Sequence, residues 1–144
     1  MATKTQTLIE ALIEALNQDL SGELQAIVQY LQHSYLVAGL KRLPIHDLLE
    51  EIAQDEMKHA EMLAERIVAM GGVPTVHPRP IVQPPTIEEM LQADLEAEKG
   101  ALRDYAAHRD AAEEMGEVGT ALILENIIVD EQNHHDELVM LLRK

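Results

Sequence analysis

Apolar residues recur every three or four positions through most of the chain and almost never alternate, so the pattern predicts amphipathic helices and no strands. Four segments carry it. The first runs from about residue 5 to 38 and stops at Gly39; the second runs from about 45 to 70, with Pro44 at its start and Gly71-Gly72 as its stop. The third covers about 87 to 115, opened by Thr86 with Glu89 three residues on in the capping-box arrangement and closed by Gly116. The fourth fills about 118 to 143, with Gly119 making its start the softest boundary. Short connections predict two antiparallel helix pairs. The middle connection, GGVPTVHPRPIVQPPT, holds five prolines over residues 71 to 86. An extended segment of that length reaches about 45 to 50 Å at about 3.1 Å per residue, enough to travel back along the second helix, itself about 40 Å long. The expected fold class is all-α: one domain over residues 1–144, a four-helix bundle whose two pairs are joined by a long crossover.

Each seam is interrupted by a carboxylate. In the second helix the inward stripe reads Leu49, Ile52, Glu56, His59, Leu63, Ile67, and in the fourth Leu124, Ile127, Glu131, His134, Leu138, Leu141. The first gives Leu16, Leu20, Glu23, Ile27, Tyr30; the third gives Leu91, Leu95, Glu98, Leu102, Tyr105. Adding 75 to Glu23, Glu56 and His59 gives Glu98, Glu131 and His134, so the polar set is a pseudo-repeat.

Composition narrows the chemistry. With no cysteine in 144 residues, disulfides, thiolate catalysis and thiolate zinc sites are excluded. A formal charge of -15 and 2% aromatic residues argue against nucleic acid, which needs basic stripes and stacking platforms. No long apolar run predicts a spanning segment or signal peptide, so the expectation is a cytoplasmic protein with no membrane partner. An acidic surface attracts cations, though excess carboxylates also simply keep a helical protein soluble.

Four carboxylates in one buried layer cost several kcal/mol per ion, and such close like charges cannot all stay ionised. Two divalent cations remove the difficulty: four carboxylates match their charge, and two neutral imidazoles complete the coordination. Oxygen-rich ligation with a minority of imidazole suits iron or manganese. One Glu from each of two helices with Glu-x-x-His from each of the other two is a described pattern for di-iron carboxylate bundles.

Through GELQAIVQY, DEMKHAEMLAERI, EEMLQADLEAE and DEQNHHDEL, the sequence resembles bacterioferritin, within the ferritin-like superfamily, over nearly its whole length. That resemblance implies a ferritin-like bundle binding two iron ions per subunit. It places terminal ligands on Glu23 and Glu98, bridging carboxylates on Glu56 and Glu131, and imidazole ligands on His59 and His134. It puts Tyr30 beside the centre in an electron-transfer role, a packed core tyrosine being the alternative. The implied activity is a ferroxidase: Fe(II) is oxidised by O2 or H2O2, and Fe(III) is stored or detoxified in a homo-oligomeric shell.

Met57, with the small residues Ala53, Ala60 and Ala64 near it, matches the methionine that ligates haem b, or a related iron porphyrin, across a two-fold interface in that family; simple packing in a subunit contact is the other reading. The sequence ends at Lys144 without the family's short fifth helix, so a dodecamer is favoured over twenty-four subunits. His33, His46, His77 and His108 are expected at the surface, with His135 one step off the seam; Asp55 and Asp130 are read chiefly as solvated carboxylates, with iron guidance as the second reading. A non-storing di-iron or haem redox protein, and a di-iron peroxidase or oxygenase, remain competing functions.

Overall fold

The computed structural model describes residues 1–144 as four helices: α1 Lys4–Leu36, α2 Arg42–Ala69, α3 Ile87–Glu114 and α4 Val118–Leu142, with no strand. Local chemistry sets their ends. Thr3 caps α1 by accepting the Gln6 N–H while the Gln6 side chain accepts the Thr3 N–H, a complete capping box that the sequence reading overlooked. At α3 the expected box is half formed: Thr86 accepts the Glu89 N–H, but the Glu89 carboxylate takes the Thr86 hydroxyl instead of its backbone N–H. Pro44 lies two residues inside α2, within the first turn, where its missing N–H costs no helical bond. Both α2 and α3 close on a positive-φ glycine, Gly71 and Gly116, and the following N–H groups of Gly72 and Glu117 return to the carbonyls of Ile67 and Ala112, each at 2.9 Å.

The helices pack as two antiparallel pairs, α1 with α2 and α3 with α4, and α1 faces α3 antiparallel as well. The crossover between the pairs returns along α1, where the sequence reading ran it along α2. Its prolines donate nothing, so its remaining polar backbone groups need partners. Asn17 serves the Val73 carbonyl and the Thr75 N–H, Ser21 Oγ–H donates to the His77 carbonyl, and the Ser21 carbonyl accepts the Arg79 N–H.

Further on, a closed ring of hydrogen bonds pins Val82. Its N–H donates to Gln29 Oε1, Gln29 Nε2 donates to Asp94 Oδ1, Asp94 Oδ2 meets His33 Nδ1 at 2.9 Å, and His33 Nε2–H donates to the Val82 carbonyl. His33 is therefore fully buried between α1 and α3, correcting its expected surface position; burial alone would hold its proton affinity down, but Asp94 raises it.

Two apolar clusters fill the bundle. One gathers Leu12, Leu16, Leu63, Ile67, Leu124 and Ile127; the other gathers Tyr30, Leu49, Ile52, Leu91, Leu95 and Leu138. Each fully buried aliphatic side chain contributes about 1.5–3 kcal/mol relative to exposure. Between the clusters lies a polar layer. No helix is long and apolar enough to cross a membrane.

Candidate metal centre

Helical spacing delivers one carboxylate per helix to that layer: Glu23 from α1, Glu56 from α2, Glu98 from α3 and Glu131 from α4, all buried. His59 and His134 follow Glu56 and Glu131 by three residues, hence by one turn on the same face, and are buried too. The six come together in two overlapping groups: Glu23, Glu56, His59 and Glu131, and Glu56, Glu98, Glu131 and His134, each with its potential ligand atoms within 4.8 Å of one another. Glu56 and Glu131 belong to both. A third grouping, His46 with Asp47 and Glu50, is partly exposed and unrelated to this layer.

Each of the six leaves one buried polar atom without a hydrogen bond: Glu23 Oε2, Glu56 Oε1, His59 Nδ1, Glu98 Oε2, Glu131 Oε1 and His134 Nδ1. Proximity alone does not satisfy them. His59 Nδ1 lies 2.9 Å from Glu131 Oε1 and 3.2 Å from Glu56 Oε1, and His134 Nδ1 lies 3.4 Å from Glu56 Oε1, none with hydrogen-bonding geometry. An orphaned buried polar atom costs about 1–3 kcal/mol, and six aimed at one centre fit a shared cationic occupant.

The other imidazole nitrogens fix the tautomers. His59 Nε2 meets Asp130 Oδ2 at 2.8 Å, and His134 Nε2 meets Asp55 Oδ2 at 2.9 Å. Since a carboxylate accepts, each Nε2 carries a proton, and once the ring is neutral its Nδ1 lone pair is the one left for the centre. Asp55 and Asp130 are thus bonded partners of the two histidines, which corrects their reading as chiefly solvated carboxylates.

The tyrosines complete the carboxylate side. Tyr30 Oη–H donates to Glu98 Oε1 at 2.6 Å, and Tyr105 Oη–H donates to Glu23 Oε1. Next to them, His108 Nδ1 meets Asp19 Oδ2 at 2.7 Å. His108 is part-buried, against expectation, for the same reason as His33: each is paired with an aspartate across the α1–α3 interface. Asp19, Tyr105, His108 and Asp94 were missed as members of this polar network. The signal was available, because the 75-residue offset that relates the ligands also relates Asp19 to Asp94, Tyr30 to Tyr105, His33 to His108 and Asp55 to Asp130. Each histidine–aspartate and tyrosine–glutamate bond therefore has a counterpart with the two halves of the chain exchanged, whereas the Gln29–Asp94 bond has none, since the offset carries Gln29 onto Asp104.

Without cations the layer holds protons. Burial, reinforced by neighbouring carboxylates, pushes Glu56 and Glu131 well above the ordinary carboxyl range. Burial also pushes Glu98 upward, but the nearby Glu131 and His134 and the Tyr30 hydroxyl outweigh it and leave Glu98 below its usual value. For His59 burial opposes the charged form, yet Glu131 and Glu23 overcome it and push the ring up to about 11. His134 is raised likewise, burial being outweighed by Glu98 and Asp55.

A ferritin-like domain model matches residues 13–144. The chain belongs to the ferritin-like family. Within that family it is 34% identical over 127 residues to a bacterioferritin of Mycobacterium tuberculosis, covering 85% of this chain and 77% of that protein. It is 33% identical over 119 residues to the bacterioferritin of Desulfovibrio desulfuricans, of which the chain spans 66%. Among ferritin-like structures, it superposes on a diiron-carboxylate protein from Bacillus anthracis with a TM-score of 0.93 at 33% identity, over 99% of this chain and 100% of that one. Dps from Thermosynechococcus elongatus shares the fold with a TM-score of 0.93 at 22% identity, covering 99% and 96% of the two chains.

Met57 is half exposed on α2. Of the small residues expected near it, Ala53 is buried in one apolar cluster, while Ala60 and Ala64 are partly exposed and pack against the other. Its exposed neighbours in sequence are Gln54, Lys58 and Glu61.

Proposed function

We propose that this ferritin-like protein is a ferroxidase that oxidises Fe(II) and holds the product in a homo-oligomeric shell. The observation that carries the reading is the coincidence of the six orphaned atoms with the six seam residues. In this reading Glu23 and Glu98 are terminal ligands, Glu56 and Glu131 bridge, and His59 and His134 each ligate through Nδ1. When two Fe(II) ions are bound as substrate, two electrons pass to H2O2, giving two waters with two protons, or to O2, giving H2O2 with two protons.

The chain's own residues prepare this chemistry. Glu56 and Glu131 lose the protons that burial favours on them, and the four carboxylates together offset the charge of two divalent ions, while the aspartate-held imidazoles add ligation without charge. Oxygen-rich ligation favours the harder Fe(III) and so favours oxidation. Tyr30 and Tyr105 hold Glu98 and Glu23 in position through their hydroxyls, and Tyr30 is assigned the electron-transfer role as well.

The bacterioferritin relatives support a shell, and a dodecamer is the assembly we favour. The test is aerobic Fe(II) addition followed by size-exclusion chromatography and iron analysis. Iron carried in a large assembly far beyond two per chain is expected. Saturation at two per chain would replace storage with a di-iron redox or peroxidase role. Glu131→Ala and His59→Ala should each abolish rapid oxidation in a folded helical protein; unchanged kinetics in both would remove the ligand assignment.

A further inference from the structure

The centre is not equally closed on its two sides. Toward α2 and α4, the histidine-aspartate pairs His59–Asp130 and His134–Asp55 cover it. Toward α1 and α3 there is a cavity of about 440 Å³, lined by all four carboxylates and both tyrosines but by neither imidazole. Its floor includes the unpartnered oxygens' side chains, Glu23, Glu56, Glu98 and Glu131, each nearly wholly buried. Its walls are small residues at helical spacing, Gly22 and Ala26 on α1 and Ala93, Ala97 and Gly100 on α3, which keep a path open where longer side chains would close it. Glu96 and Asp104 stand at its outer end, with Asp19 deeper.

The crossover roofs this cavity with Arg79 and Val82. Val82 is fixed at both its N–H and its carbonyl by the ring through Gln29, Asp94 and His33. Arg79 is fixed at its backbone N–H, through the Ser21 carbonyl, and more weakly at its side chain. Its guanidinium lies over Gly22, where a methyl group would stand 3.6 Å from Cζ, and Nη2 donates to the Gln18 carbonyl at 3.0 Å and reaches 3.6 Å from Asp104 Oδ2. The side chain thus spans from α1 to α3 across the opening. Its partners hold it loosely: the Arg79–Asp104 pair is solvent-exposed on both sides, and such pairs stabilise little.

We propose that the opening between α1 and α3 is the entrance by which divalent cations reach the four carboxylates, and that Arg79 is its gate. This inference rests on the di-metal reading given above. Glu96, Asp104 and Asp19 draw a cation inward, while the guanidinium both covers the path and opposes the charge of anything entering. A neutral oxidant would be indifferent to that charge, so charge dependence identifies the passenger.

Cobalt(II) serves as a redox-silent probe whose visible absorption reports arrival at the site, followed by stopped-flow mixing with the assembled protein. Wild type should bind two Co(II) per chain, at a rate that falls with ionic strength. Arg79→Ala should bind the same number about fivefold faster at low salt, converging on wild type at high salt. Asp104→Asn should be slower by about threefold. Ala97→Leu, which fills the path, should slow arrival by at least about tenfold without changing the final stoichiometry. Two Co(II) per chain with wild-type rates in Arg79→Ala, Asp104→Asn and a folded Ala97→Leu would overturn the entrance while leaving the di-metal reading intact. Should Ala97→Leu fail to fold, unchanged rates in the two surface variants overturn it alone. No Co(II) bound by wild type would instead overturn the di-metal reading, and the entrance with it.

Discussion

At the scale of single residues, the proposed centre would make protons and cations competitors for the same atoms. His33 and His108 are raised by their aspartates, Asp19 and Asp94 are raised chiefly by burial, and Glu56 and Glu131 are raised by burial among like charges. Each raised value means that the folded chain binds more protons than the unfolded one, so stability falls as pH rises. The carboxyl contribution is complete below about pH 4 and is lost as pH climbs through the raised folded values. The histidine contribution is complete below about pH 6.5 and is lost above it, persisting toward about 11 for His59. The metal-free protein should therefore show a lower urea midpoint at pH 9 than at pH 6; a higher midpoint at pH 9 would contradict the proton inventory. With divalent metal in excess the trend should reverse, because deprotonation then favours binding.

Also at this scale, Asp130→Asn keeps an acceptor for His59 Nε2–H but removes the charge behind the ring. Metal affinity measured by competition with a chelator should fall about 10- to 100-fold, with little change in helicity. An affinity equal to wild type would show that Asp130 does not hold His59 as a ligand.

At the scale of elements, the helices and their seam were readable because a 3.6-residue period and a buried face leave a regular trace, and a carboxylate inside that trace stands out. Glu23, Glu56, His59, Glu98, Glu131 and His134 could be gathered on one level from spacing alone. Asp55 and Asp130 could not, because each lies one step, about 100°, round the helix from its neighbouring glutamate and acquires its role only when α2 meets α4. His33 and His108 looked solvated for the same reason: their aspartates come from another helix. The crossover's length was legible, but its course was not, since it is set by Asn17, Ser21 and Gln29 supplying the bonds that prolines cannot. Gln29→Ala opens the ring at Val82, leaving a buried Asp94 short of a donor. It should cost about 1–3 kcal/mol in urea unfolding and speed amide exchange at Val82; unchanged exchange there would contradict the ring.

At the scale of the whole molecule, the two halves of the chain are alike in chemistry and unlike in cover. The 75-residue offset gives every proposed ligand and its histidine, aspartate or tyrosine partner a counterpart, so substitutions at paired positions should have matching effects on metal binding. The crossover and Gln29, whose offset position is Asp104, break the equivalence, the crossover sealing His33 beneath Val82 while leaving His108 partly exposed. The polar layer separates two apolar clusters that are complete without it, so the metal-free bundle is expected to fold. Metal at about 100 times its dissociation constant should then add about 2.7 kcal/mol per independent site to unfolding stability, and chelation should remove it.

The most direct measurement is a crystal structure of the iron-soaked protein with anomalous scattering recorded at the iron edge. Two iron peaks in the polar layer are expected, about 3.5–4 Å apart, both touching Glu56 and Glu131, with Glu23 and His59 on one and Glu98 and His134 on the other. Iron found only at the exposed His46–Asp47–Glu50 group, or a polar layer without iron, would contradict the account.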